Sequence, residues 1–422
     1  MCVEGRSERM SGSMGPAVSF CAALILTLGC AVYADPAASE PGLLTRTGNE
    51  LMIDGKPFRA VGVNKFDLLR QFVMGGEERE KAERAIEQIA AAGFRVVRIA
   101  GCMFYPKEMN AWAGEDYWKR IDDMFAALRK AGLKAIPCLV WNTYLFPDIA
   151  HETLREMLTN RDSKSRQYVD FYISQFVERY KNEPSVLFWE LWSELNLGAD
   201  LESARPYGFY HLNVPAEGAP PVRVRTDNYS TDQMIPFLRE LAQLVRSIDS
   251  KHLISSGHSI PRPSAQHLRL AGTKGDWTMD SPAEAEIYLR DIHPDPIDII
   301  SIHIYNFYDD NIRFGNTDKD SAVILRQFKQ MADRIGKPII IGEAGGQAFD
   351  DPNGGVPKFS RSVIEEAVAA DYPLIIWWMA SVGDELRFEL NKTPQLNRLL
   401  LDAERRLKAR AATRREKTEG KP

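Results

Sequence analysis

The sequence predicts a single-domain α/β fold, a (β/α)8 barrel with enlarged βα loops, and three observations carry the prediction. From Leu51 onward, eight short β-rich apolar runs alternate with amphipathic helical stretches, the pattern of repeated βα units around a parallel sheet. Polar and aromatic residues gather where those runs end. The longest connections, 198–230 and 259–296, are polar, rich in Pro and Gly, and directly follow the fourth and fifth runs. In a closed barrel, loops at that end of the strands build the active face.

The eight runs are Phe58–Val63, Arg95–Ala100, Lys134–Val140, Val186–Leu191, Leu253–Gly257, Asp298–His303, Pro338–Gly342 and Leu374–Trp378. Between the first two, Ile86 and Ile89 mark one face of a helix that Gly93 ends. Ile121, Met124, Phe125 and Leu128 follow helical spacing before Gly132 stops them. Val169, Tyr172, Ile173, Phe176 and Tyr180 do the same up to the break at Pro184, and further helices follow Asp232 and Asp320. Nothing resembling an interdomain linker, a repeat or a low-complexity tract interrupts the series, so residues 35–402 are read as one catalytic domain.

The two ends read differently. Arg6 and Arg9 precede an apolar run from Ala17 to Val32, and Val32-Tyr33-Ala34 offers a small-residue cleavage site before Asp35. Residues 1–34 are read as a signal peptide, making the mature chain secreted or periplasmic, with no membrane span. Leu28-Gly29-Cys30 raises the alternative of a lipid-anchored form. Residues 403–422 hold eight Lys/Arg against three Asp/Glu and no aromatic residue, and are read as a frayed helix and disordered basic tail. Cleavage leaves Cys102 and Cys138 of five cysteines, too few for a disulfide framework; two buried free thiols are expected. A net charge of −5 and 44% hydrophobic residues suit a soluble globular protein and invite no nucleic acid, and a monomer is expected.

Strands buried on both faces should end in apolar or small residues, so polar ends ask for a reason. The second run ends Val97-Arg98-Ile99, and the fourth leads into Glu190-Leu191-Trp192-Ser193-Glu194. The sixth alternates as Ser301-Ile302-His303-Ile304-Tyr305, which points His303 and Tyr305 to one side. Gly342-Glu343 ends the seventh, and Trp377-Trp378 the eighth. Glu194 and Glu343 thus face each other across a barrel mouth, the pair that glycosidic cleavage needs: one carboxyl protonates the leaving oxygen, the other attacks the anomeric carbon or activates water. The acid should sit among apolar neighbours, a role for Trp192, and the nucleophile beside positive charge, a role for Arg98. Glu190, inside its strand, reads as a structural ion-pair partner. Trp378, Trp141, Trp192 and Trp377 are candidates for stacking on a sugar ring. Asn142 and His258 follow the third and fifth runs and are candidates for lining subsites. Neither HExxH nor a comparable cluster appears, so no metal and no cofactor is expected.

As an ordered set, Asn49 through Phe58, Gly62-Val63-Asn64, Arg98, the segment WELWSELN at 189–196, His303-Ile304-Tyr305, Lys337-Pro338 through Glu343, and Trp378 resemble the cellulase-like family five of glycoside hydrolases over residues 48–385. That resemblance implies a retaining enzyme acting on a β-linked polysaccharide or oligosaccharide, β-1,4-mannan or β-1,4-glucan foremost. An exo-acting β-glycosidase, a transglycosylase and a carbohydrate-binding barrel without turnover are the alternatives. It implies Glu194 as acid/base and Glu343 as nucleophile, Arg98 and Tyr305 bonding the nucleophile, His303 contacting sugar or acid/base, and Trp378 flooring the cleavage subsite. One position departs from the pattern: the family usually has Asn before the acid/base, contacting the sugar 2-hydroxyl, and this chain has Ser193. Either a water or Asn196 fills the place, or the hydrogen bond to the 2-hydroxyl is weakened.

Overall fold

The computed structural model describes residues 41–201, 214–306, 309–345, 356–378, 380 and 394–419. The segment 1–34, read as a signal peptide, lies outside them. All eight expected runs are strands: β1 (Ala60–Asn64), β2 (Val96–Ala100), β3 (Lys134–Val140), β4 (Trp189–Trp192), β5 (Ile254–Ser255), β6 (Ile300–Tyr305), β7 (Ile339–Gly345) and β8 (Leu374–Trp377). They pair in parallel in the order β5-β4-β3-β2-β1-β8-β7-β6. A further parallel bridge, Ser255 to Ile299, brings the two ends of that sheet together and closes the ring.

A helix follows each strand: α1 (Gly76–Ala91), α2 (Glu115–Lys130), α3 (Lys164–Tyr180), α4 (Thr231–Ile248), α5 (Pro282–Asp291), α6 (Ile324–Ile335), α7 (Lys358–Ala369) and α8 (Pro394–Glu419). Their apolar stripes face the sheet. On α2, for example, Tyr117, Trp118, Ile121, Met124, Phe125 and Leu128 are buried, each large side chain contributing about 1.5–3 kcal/mol relative to exposure. Capping residues set the starts: Ser230 and Gln233 exchange hydrogen bonds at α4, as do Ser281 and Glu284 at α5. Among the described residues no helix is long and apolar enough to cross a membrane.

The barrel interior is layered. Leu44 and Leu51, from an antiparallel sheet of Leu44–Thr47, Glu50–Ile53 and Lys56–Pro57, pack with Ala60, Val96, Phe188, Leu253, Ile299, Ile340 and Leu374 to seal the end where the strands begin. Above this apolar floor the strands offer Arg98, Cys138, Glu190, Ser255 and Ser301, all fully buried. Cys102 and Cys138 are free, buried thiols.

Two glycines shape the mouth. β7 pairs in step with β6 from Ile339–Ile300 to Ile341–Ile302 and then slips, so that Glu343 rather than Gly342 stands beside His303. Alternation alone would turn Glu343 outward with Ile339 and Ile341; the one-residue bulge returns it to the inside. Gly257 adopts φ +72°, and a Cβ there would lie 1.8 Å from the carbonyl oxygen of Trp192, so only glycine allows this approach of the chain after β5 to the end of β4.

The expected tail differs. Residues 403–419 continue α8, with Ala403, Leu407 and Ala411 buried and the Glu404 carboxylate accepting the backbone N–H of Val61 at 2.9 Å. The charge count concealed an apolar stripe at intervals of four, which packs below β1.

Candidate active site

The site is assembled around Arg98. Its guanidinium, wholly buried, donates through Nε and Nη2 to Glu190 Oε1 (2.8 and 2.6 Å), and through Nη1 to Asn64 Oδ1 (2.9 Å) and Glu343 Oε1 (2.5 Å). Burial disfavours its charge, but Glu190 and Glu343 outweigh burial and keep it firmly protonated. Glu190 is therefore the buried ion-pair partner that anchors Arg98 from below, while the Nη1 edge faces the mouth.

Glu343 receives a second donor, the Tyr305 hydroxyl at 2.5 Å. Across the mouth Glu194 ends β4 in the left-handed region at φ 56°, its N–H bonded to Gly257 O at 2.9 Å. A non-glycine residue in this conformation costs about 1 kcal/mol, met by the surrounding packing, and it turns the chain out of the wall into the short helix Leu195–Gly198. His303 lies between the carboxyls, Nδ1 2.8 Å from Glu194 Oε1 and 3.5 Å from Glu343 Oε1. One ligand-type atom from each of the three residues falls within 4.8 Å of the others, which brings the carboxylate oxygens of Glu194 and Glu343 within that distance. An approach of one oxygen from each carboxylate to within 4.8 Å suits direct attack on a sugar placed between them, whereas activating an intervening water takes carboxyls roughly 6.5–9.5 Å apart.

The electrostatics differ from the simplest expectation. Burial raises the Glu194 carboxyl, but its bond to His303, the charge of His303 and that of Arg98 together hold it below the usual carboxylate range. For Glu343 burial prevails over His303 and Arg98, and the Glu194 charge adds to the upward shift. Trp192 does not wall the acid: its ring packs edge-on against Phe237 outside the barrel, with its indole N–H on Thr143. The group beside the Glu194 carboxyl is therefore His303, its Nδ1 2.8 Å from Oε1, rather than an apolar pocket.

Trp378 and Trp141 lie together beside Arg98. Phe66 stacks with Trp378, Trp141 and Phe104 at centroid distances of 5.4, 5.7 and 5.3 Å, and the Arg98 guanidinium covers the Trp141 ring at 4.4 Å. Asn142 is not brought into the mouth as a ligand: its amide donates to Phe104 O and accepts from Tyr144 N, which fixes the loop after β3. Asn196 likewise spends both amide ends on the Ser259 backbone, so it does not stand in at position 193. Ser193 is buried with its hydroxyl 3.4 Å from Arg98 Nη2. His258 is fully buried, edge-on to His293. Trp377 is buried in the wall. Phe66 and Phe104 are additions that the sequence did not signal, and Asn64, named in the sequence only as part of the resemblance, carried as a polar residue ending an apolar strand the same signal as Arg98.

A model of the cellulase family, glycosyl hydrolase family 5, matches residues 51–383. A mannan endo-1,4-β-mannosidase of Arabidopsis thaliana is 24% identical over 349 residues, 73% of this chain and 72% of that protein. Among solved structures, an endo-1,4-β-mannanase from Rhizomucor miehei superposes with a TM-score of 0.59 at 16% identity, covering 85% of this chain and 99% of the other. An exo-β-1,4-mannosidase from Opitutaceae bacterium strain TAV5 does so at 0.55 and 15%, covering 87% and 62%. At these identities the structures speak for the fold, while the family match spans most of the sequence: this chain belongs to the cellulase family of glycosyl hydrolases, family 5.

Proposed function

We propose that the chain is an exported, retaining endo-hydrolase of β-1,4-mannan in which Glu343 is the nucleophile and Glu194 the acid/base. The approach of the two carboxyls to within 4.8 Å, with Arg98 and Tyr305 on Glu343, is the observation that carries the reading. The polymer is suggested by relatives named for mannan.

In the first step Glu343 bonds to the anomeric carbon as the glycosidic C–O bond breaks, and the proton shared by Glu194 and His303 passes to the departing oxygen. Arg98 and Tyr305 hold the attacking carboxylate in one orientation, which supplies positioning. Once Glu343 is an ester its charge is gone, and with it the repulsion that opposes ionised Glu194. Glu194 then takes a proton from the incoming water, whose oxygen bonds to the anomeric carbon and releases Glu343. The configuration is retained.

Exo-action is the second reading, favoured by the likeness of fold to an exo-β-1,4-mannosidase. The test is turnover by residues 35–422 of β-mannan, β-glucan and aryl β-glycosides, beside Glu194→Gln and Glu343→Gln. Early loss of mannan viscosity, abolished in both variants, is expected. Mannose released before viscosity falls would establish exo-action, and turnover surviving both substitutions would overturn the assignment. For export, amino-terminal sequencing of the secreted protein should begin at Asp35; a mature chain starting at acylated Cys30 would make it a lipoprotein.

A further inference from the structure

Beneath the carboxyl pair, four polar atoms on the inward side of three consecutive strands are buried without a partner among the described residues: Glu190 Oε2 on β4, Ser255 Oγ on β5, and Ser301 Oγ and His303 Nε2 on β6. Glu190 and Ser255 are register partners across β4 and β5. A Cβ on Gly342 would lie 2.6 Å from Ser301 Oγ and 2.9 Å from His303 Nε2, so both atoms open onto the same side-chain-free patch of β7. That places them within the span of one bridging water, whose two hydrogen bonds reach about 5.5 Å. Buried polar groups that lack protein partners are satisfied by ordered water, and a site with several convergent polar atoms is where such water resides.

We propose that this polar layer binds water and thereby fixes the protonation of His303: a hydrogen-bonded run from His303 Nε2–H through Ser301 and Ser255 ends on Glu190 Oε2. Glu190 is the acceptor because its Oε1 is already held by Arg98, which leaves Oε2 to receive the run. With a proton kept on Nε2, Nδ1 is the atom that shares a second, mobile proton with Glu194 Oε1, 2.8 Å away. That second proton is the one the departing oxygen would receive. Ser301 and Ser255 are positioning residues in this scheme, acting on the sugar only through His303. The charged and titratable groups around the run are Glu194, Glu343, Arg98 and Tyr305 on the mouth side, Cys138 beside Glu190, and His258 behind His303. The inference rests on the hydrolase reading for its kinetic consequence but not for its spectroscopic one.

The experiment uses residues 35–422 with 15N-labelled histidine, of which the whole chain has seven, and resolves the two ring nitrogens of His303 across pH. A proton retained on Nε2 throughout the active range is expected in the wild type. In Ser301→Ala and Ser255→Ala the protonated pair is held less firmly, so the alkaline limb of kcat/KM moves down by about one pH unit, and kcat/KM falls by up to about tenfold on the alkaline side of that limb. Ser301→Thr, which keeps the hydroxyl, restores the limb. An unprotonated Nε2 in the wild type overturns the proposal, as does an alkaline limb unmoved in both alanine variants. Absence of any turnover by the wild type would remove the hydrolase reading, and the ring-nitrogen spectrum would still decide the relay.

Discussion

Glu343 stands in register with His303, where an unbroken ladder between β7 and β6 would have placed Gly342. The carboxylate points into the mouth because of that slip, and Gly342 absorbs it in a place already crowded by Ser301 and His303.

Gly342→Ala should therefore injure the site rather than the barrel as a whole. Its Cβ would meet Ser301 Oγ and His303 Nε2 at under 3 Å, forcing β6 or the bulge to shift. A fall of about 100-fold in kcat/KM is expected, since misplacement of reacting groups by about 1 Å costs that much. A variant with unchanged kinetics would show that the register slip does not aim Glu343.

Tyr305→Phe removes one of the two hydrogen-bond donors that Glu343 has among the described residues. Loss of a single charge-stabilising donor of this kind lowers kcat by about 100-fold. Because the bond is to the attacking group, kcat should fall while KM holds; a change confined to KM would assign Tyr305 to sugar binding instead.

Ser193→Asn tests the departure from the family pattern. The serine hydroxyl lies 3.4 Å from Arg98 Nη2, and its side chain is one bond shorter than that of asparagine. Asn at this position should add one hydrogen bond to the sugar and raise kcat/KM on mannan about fivefold, a net bond being worth about 1 kcal/mol. Equal rates on every substrate would remove Ser193 from any account of specificity.

His258 and His293 should make the fold acid-labile. Burial holds His258 well below the ordinary histidine value and sets His293 at about 3. The unfolded chain binds protons near pH 6.5 that the native state refuses, so their stabilisation is complete above that pH and is lost as pH falls toward the folded values. Between pH 6.5 and 5, above the carboxylate range, urea midpoints should fall steadily, and less steeply in His293→Gln. Parallel slopes for both proteins would point to other groups.

Leu407→Ala should destabilise by about 2–5 kcal/mol, the cost of truncating a buried leucine, because α8 is part of the core. Denaturant midpoints measure it, and no change would return the segment to the status of a tail.

The sequence was most legible where periodicity and chemistry agreed. Eight apolar runs became eight strands, and the polar residues ending β2, β4, β6 and β7 converge on one mouth. It was least legible where an individual side chain had to choose between backbone and cavity. Asn142 and Asn196 look like ligands by composition, yet both amides are consumed by loop carbonyls and N–H groups. Trp192 adjoins the acid in sequence but points to the opposite side of the wall, because a strand alternates its faces. The register slip at Gly342 had no signal beyond the glycine itself, and the stripe of α8 was masked by the charges around it.

The small antiparallel sheet under the floor has an engineering consequence. Chain entering at Leu44 joins the barrel at the end remote from Glu194 and Glu343. A handle attached ahead of that residue, whether a fusion partner or a solid support, would hold the molecule by its base and leave the cleft directed away from whatever it is fastened to.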